Sequence, residues 1–460
     1  MTPVALLTML AFIAVSGGLA YWQILRASDL NERGDNPRVV QQAHREDRGR
    51  ILDRNVEVLA YTDTSTEQVR LYARPSLAQV IGYSSLRFGQ NGIELAEHEY
   101  LSGERSTDVF EFLLNELLGR ERAGDDVVLT IDGALQDVAV DAMAGRRGAA
   151  IALDPRTGEV LASVSNPGYD PNAIEDTGEA LRNDPSQPLL NRATQGLYPP
   201  GSTFKTVTAA AALDTGRYEA DTPFSCHDAL VFEGFEVECA NVPEGEGDYD
   251  WGFGYVHSIN AVFAQTGVDI GWPTLREFAR RFGFGTDLGI ETESSVSRVG
   301  GDDDSLASLA STAFGQGELL VTPLQMALVA ATVANEGVVP QPHFVLRVQD
   351  RDGDVVDRRN PGSRGRAMSE ATAQTLTELM VRNVEEAAGS LAAIPGVAVA
   401  GKTGTAETGR PDEEPHAWFI GFAPAEEPVI AVAVVLENAG FGGTYAAPVA
   451  GQIMAAAVGR

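Results

Sequence analysis

At 460 residues the chain exceeds one ordinary domain and is long enough to bury a large core as two or three units. A net charge of -31 excludes a nucleic-acid partner, because phosphate binding needs a basic face and every patch here sits in an acidic field; a crowded exterior and a high-salt habitat account for the acidity equally well. The cysteines, Cys226 and Cys239 alone, exclude a disulfide framework and leave one local bond or two free thiols, while a zinc site adding His227 and His257 matches no standard ligand spacing.

Residues 3–25 carry no charge and are long enough to span a bilayer, with Tyr21 and Trp22 where an interfacial aromatic belt would sit. They read as a single-pass anchor within residues 1–26, with the remainder of the chain outside the cell membrane. A cleaved signal peptide would need a basic start and a shorter apolar core. The flanking charge runs the other way, since Arg26 and Arg33 follow the segment and no basic residue precedes it; a start a few basic residues upstream would remove the conflict. Residues 27–140 mix short apolar runs with Arg and Glu and read as a small α+β pedestal. From Gly148 two strand-like runs flank the turn Asp154-Pro-Arg-Thr-Gly158, a hairpin that opens the unit 141–460. The turn residues Tyr198-Pro-Pro-Gly201 introduce a buried helix over 202–213, and further helical stretches run to about residue 335. Acidic loops at 244–250 and 302–304 read as solvated surface, and 351–366 as an exposed hairpin or loop. Short apolar strands at 397–402, 417–422 and 429–435 and a small-residue helix at 446–458 close the chain. Helices flanked by strands from both ends make an α/β or α+β sandwich.

Among 34 basic residues, only Lys205 and Lys402 are lysines. Arginine serves nearly any surface role, so a retained lysine points to an amine that must lose its proton or to a compact ammonium charge. Lys205 lies three residues after Ser202, one turn along the same helix face, where its amine can activate the hydroxyl for attack on a carbonyl. Alone this spacing is weak, arising by chance for about one lysine in fifteen. Lys402 opens Lys402-Thr-Gly-Thr405 on a strand, where Gly404 leaves room for a substrate backbone and Thr403 and Thr405 can bond a carboxylate; a Thr-Gly after a given lysine is expected less than about one time in a hundred. Between them stands Ser258-Ile-Asn260 at the start of a helical run, in isolation an ordinary helix cap.

Ser202-Thr-Phe-Lys205, Ser258-Ile-Asn260 and Lys402-Thr-Gly404, in that order, resemble the three motifs of penicillin-binding proteins and serine β-lactamases. Arg48-Gly-Arg-Ile-Leu-Asp-Arg54, Leu129-Thr-Ile-Asp132, Tyr198-Pro-Pro-Gly201, Gly315-Gln-Gly-Glu-Leu-Leu-Val-Thr-Pro-Leu-Gln325 and His416-Ala-Trp-Phe-Ile-Gly421 resemble class B penicillin-binding proteins, especially the short actinobacterial A type. The resemblance implies the transpeptidase/serine β-lactamase-like fold, with Ser202 as nucleophile, Lys205 as its base and Ser258 as a proton relay. It implies that Asn260 holds the donor amide and Lys205, that Lys402 sets the local field, and that Thr403, Gly404 and Thr405 line the carboxylate site. Backbone N–H groups at Ser202 and Thr405 would form the oxyanion hole. The implied substrate is a peptidoglycan stem peptide ending in D-Ala-D-Ala, β-lactams are the implied inhibitors, and a membrane glycosyltransferase of the SEDS family is the implied partner. No cofactor or metal is called for.

A β-lactamase or D,D-carboxypeptidase would use the same motifs and send the acyl group to water, but Ser-Ile-Asn in place of Ser-Asp-Asn and the large N-terminal region count against a β-lactamase. A β-lactam sensor would need several spanning segments. A non-catalytic divisome scaffold would not need its only lysines at these two places.

Overall fold

A computed structural model describes residues 3–21, 48–63, 69–104, 123–227, 229–239, 247–300, 303–360, 362–410 and 412–459. In chain order these give helix α1 (Pro3–Ala20), strands β1 (Ile51–Leu52), β2 (Val58–Asp63), β3 (Val69–Tyr72) and β4 (Asp126–Leu129), helix α2 (Gly133–Met143), and strands β5 (Gly148–Leu153) and β6 (Val160–Asn166). Helices α3 (Lys205–Asp214), α4 (Trp251–Val256), α5 (Asn260–Arg281), α6 (Leu306–Ala313) and α7 (Pro323–Ala334) follow, then β7 (Val345–Gln349), β8 (Val355–Arg358) and α8 (Glu370–Glu386). The chain closes with β9 (Ala400–Ala406), β10 (His416–Ala423), β11 (Ile430–Leu436) and α9 (Gly442–Val458).

The central sheet is antiparallel in the order β9-β10-β11-β5-β6, so it joins strands from both ends of the unit. The β5–β6 hairpin turns as its sequence requires. Asp154 accepts from the Arg156 amide at 2.9 Å, and Gly158 takes φ of 79°, which only glycine adopts without strain. Every residue of β11 is buried, because α2 and α9 cover one face and α7 the other; this explains a continuous apolar run where a half-exposed strand would alternate.

The second sheet runs β8-β7-β4-β1-β2-β3, with β1 and β4 parallel and its other pairs antiparallel. It is therefore not contained in residues 27–140, since two of its strands come from 345–358. These include part of the segment read as an exposed hairpin or loop: β8 continues the sheet, and Ser363–Arg366 pairs with Val338–Pro340. Inside this region Glu94 is fully buried between Arg48 at 2.6 Å and Arg70 at 2.7 Å.

α1 occupies the start of the expected anchor, with Met9, Leu10, Phe12, Ile13 and Val15 exposed. No helix among the described residues is long and apolar enough to cross a membrane. The rest of the expected anchor, residues 1–2 and 22–26, lies outside the described residues, as do 27–47, 64–68 and 105–122 of the pedestal and 244–246 and 302 of the acidic loops. Residues Gly247–Asp250 are a strand paired with Pro223–Cys226. Cys239 is disulfide-bonded.

Candidate active site

Three separate pieces of chain converge on a cleft of about 1170 Å³ whose lining includes Ser202, Ser258, Asn260, Thr403, Gly404 and Thr405. The first piece differs from the helix expected over 202–213. Gly201–Phe204 form a 3₁₀ turn and Lys205 begins the α-helix. Crowding dictates the tighter turn: the Gly201 amide donates to Gly315 O at 3.0 Å, and a Cβ on Gly201 would lie 2.6 Å from Thr405 O. The lead-in is pinned as firmly. Trp418 Nε1 donates to Pro199 O at 2.9 Å, and the Tyr198 hydroxyl and Arg192 Nε each donate to Glu437 Oε1 at 2.8 Å.

The second piece is the junction of α4 and α5. Ser258 holds φ of 62°, a left-handed conformation costly for a non-glycine residue. Buried Asn383 on α8 anchors it by donating to Val256 O at 2.6 Å. Ser258 is thus more than a helix cap; Ile259 caps α5 without a side-chain bond.

The third piece is edge strand β9. Gly404 lines the cleft and also makes room behind the strand: a Cβ would meet Pro200 O and Thr203 Cγ2 at 2.9 Å and Trp418 Cβ at 3.0 Å. The glycine makes room for the serine turn behind the strand. Thr403 is buried beside the cleft, and Thr405 Oγ1 accepts from the Gly442 amide at 3.3 Å.

Lys205 and Lys402 are both completely buried. Lys205 Nζ donates to Ser258 O and to Asn260 Oδ1, each at 2.7 Å, and stands 3.3 Å from Ser258 Oγ. Lys402 Nζ donates to Ser258 Oγ at 2.9 Å and to Thr403 O at 3.2 Å. Ser258 Oγ therefore bridges the two amines. No hydrogen bond joins Lys205 to Ser202 among the described residues, although the two share the turn. Burial holds the Lys205 amine well below the usual lysine range, and the Lys402 charge pushes it further the same way. Burial alone brings Lys402 down to about 7. A neutral Lys205 has two N–H bonds, which the 2.7 Å contacts occupy, and a lone pair left for a hydroxyl proton.

The sequence alone gives the supports of this constellation no role. Phe263 and Tyr255 lie under the two lysines, and Arg192, Glu437 and Trp418 fix the serine turn; only Trp418 stands in a quoted motif, and the partners of the others are distant in sequence.

Fold and site define the class: the chain belongs to the penicillin-binding protein transpeptidase family, whose transpeptidase domain matches residues 148–455. Residues 48–127 match the penicillin binding protein A dimerisation domain. The chain is 36% identical over 483 aligned residues to the peptidoglycan D,D-transpeptidase PbpA of Mycolicibacterium smegmatis, covering 99% of this chain and 98% of that one. Among solved structures, penicillin-binding protein A of Mycobacterium tuberculosis in a ceftriaxone acyl-enzyme complex matches with a TM-score of 0.84 at 34% identity, covering 91% of this chain and 100% of that one. Pseudomonas aeruginosa PBP2 matches at 0.77 and 31%, covering 89% and 96%.

Proposed function

We infer that this protein is a serine-type peptidoglycan D,D-transpeptidase and a target of β-lactams. The observation that carries the reading is the chain from Lys402 through Ser258 to Lys205: two buried amines bridged by one hydroxyl, in the cleft that exposes Ser202.

Ser202 Oγ attacks the carbonyl of the penultimate D-alanine of a stem peptide ending in D-Ala-D-Ala, and its proton passes to Lys205. Asn260 holds Lys205 in place through Oδ1 and holds the donor amide. Backbone N–H groups of Ser202 and Thr405 stabilise the oxyanion. Ser258 carries the proton to the departing D-alanine nitrogen. Lys402, Thr403 and Thr405 hold the terminal carboxylate, with Gly404 keeping the strand close to the serine turn. An amine of a second stem peptide then takes the acyl group and Ser202 recovers its proton. β-Lactams acylate Ser202 by the same route.

Membrane attachment through residues 1–26 is supported by the charge-free run that continues past α1 in the sequence. The division into a pedestal at 27–140 and a catalytic unit at 141–460, and a SEDS-family glycosyltransferase as membrane partner, are supported by the class B resemblance.

The test is the intact mass of the full chain after exposure to benzylpenicillin, beside Ser202→Ala. A persistent adduct on the parent alone is expected, and amine acceptors should compete with water for a peptide acyl group. Rapid loss of the adduct to water would favour a β-lactamase, and no adduct from folded protein would leave only a scaffold.

A further inference from the structure

Every hydrogen bond that Lys205 or Lys402 makes among the described residues ends on a neutral oxygen: Ser258 O and Oγ, Asn260 Oδ1 or Thr403 O. A buried ammonium without a carboxylate needs another source of negative potential. Two aromatic faces supply one. The Phe263 ring centroid lies 5.6 Å from Lys205 Nζ, and the Tyr255 centroid lies 5.7 Å from Lys402 Nζ. Both rings are fully buried and meet edge to face, 6.0 Å apart at 60°. Chain spacing makes the assignment specific. Phe263 stands one helical turn after Asn260, which bonds Lys205, and Tyr255 O accepts from the amide of Ser258, the residue whose hydroxyl accepts from Lys402. Each lysine thus meets a ring and at least one polar group from the same short stretch of chain.

We propose that Phe263 and Tyr255 form a divided aromatic seat that fixes how positive charge is shared between the two lysines, Phe263 holding it on Lys205 and Tyr255 on Lys402. Because a desolvated ring face attracts a cation more strongly than a wet one, these positioning residues set the pH range over which Ser202 reacts. The inference rests on the acyl-transfer reading above. The titratable groups packed on one another beneath the cleft are the lysines and the Tyr255 phenol, which burial keeps protonated and which meets Thr206 Oγ1 at 3.0 Å, while Glu236, Glu238, Glu407 and His257 line the open cleft. His257, beside Ser258, faces Glu386 and Arg382.

The scarcity of lysine makes the seat directly measurable. Full-length protein grown with 13Cε-lysine shows two lysine resonances, one per amine, and each can be titrated. Phe263→Leu should move the Lys205 titration, and with it the acidic limb of benzylpenicillin acylation, to lower pH by about 0.4 to 1.5 units. Tyr255→Leu should move the Lys402 titration and the basic limb down by a similar amount. Tyr255→Phe keeps the ring while losing the Thr206 contact, and Phe263→Tyr keeps the ring; both should give the parental curves, which a merely structural role would not require. Folded leucine variants with parental titrations would overturn the proposal, as would a Tyr255→Phe shift equal to that of Tyr255→Leu. If the leucine variants fail to fold, Phe263→Met and Tyr255→Met are read the same way. Failure of the parent to form an adduct would sink the acyl-transfer reading instead, and the resonances would still report on the seat.

Discussion

Two of the places where the protein buries cations treat them in opposite ways. In the N-terminal sheet region Arg48 and Arg70, only 3% and 7% exposed, share the fully buried Glu94, so each guanidinium lies directly against a carboxylate. In the catalytic unit Lys205 and Lys402 are as deeply buried and meet only neutral oxygens and ring faces. A paired guanidinium stays charged at any ordinary pH and serves structure; an unpaired amine sits near the point of losing its proton and can do chemistry. What separates the regions is the counter-ion, not the burial.

The sharpest break of this contrast is to make the catalytic cation behave like the structural ones. Lys205→Arg keeps the charge but cannot release the proton, and should lower the benzylpenicillin acylation rate roughly 10²- to 10⁴-fold in stopped-flow measurements. Glu94→Ala performs the converse experiment by leaving two buried guanidiniums unpaired. It should cost about 3–5 kcal/mol in denaturant unfolding, while folded protein still acylates. The Arg pair holds the Glu94 carboxyl below its usual range despite burial, so its stabilisation is present above the unfolded carboxylate pKa and disappears as acid titrates the folded group.

Lys402 gives a milder test with a defined sign. Its folded value of about 7 lies below that of an unfolded lysine, so the unfolded chain binds more protons between about pH 7 and 10.4. Parent stability should rise across that window by at most about 1.4 kcal/mol per pH unit from this group, and urea midpoints of Lys402→Met should show a flatter slope. The smallest expected effect concerns the neutral supports. Trp418→Phe removes the indole bond to Pro199 O and should cost about 1 kcal/mol, with a several-fold loss of acylation because the released carbonyl lies three residues before Ser202.

The residues legible in the sequence were those whose chemistry is local. Two lysines in a chain of arginines, each inside a short motif, pointed to the cleft, and turn residues with apolar runs marked the β5–β6 hairpin and the three closing strands. What escaped was set by distant neighbours. The 3₁₀ turn at Ser202 exists because Gly315 and Thr405 press on Gly201, and nothing within 198–205 encodes them. The close approach of Pro200 and Thr203 to Gly404 likewise comes from a distant part of the chain. Phe263 and Tyr255 read as ordinary core, since period and apolarity cannot distinguish a ring that packs from a ring that also faces an amine.

Because β7 and β8 complete the N-terminal sheet, a sheet begun early in synthesis is finished only much later. Asp126–Leu129 is paired on one side with β1, while its other edge must wait until synthesis has passed residue 349. Until then a strand whose residues are all buried in the mature protein offers unpaired amides and carbonyls to any passing chain, a recognised route to aggregation. Cutting the molecule between its two halves would make that transient edge permanent, so the pedestal is better regarded as something the catalytic unit finishes building than as a module on which it was placed.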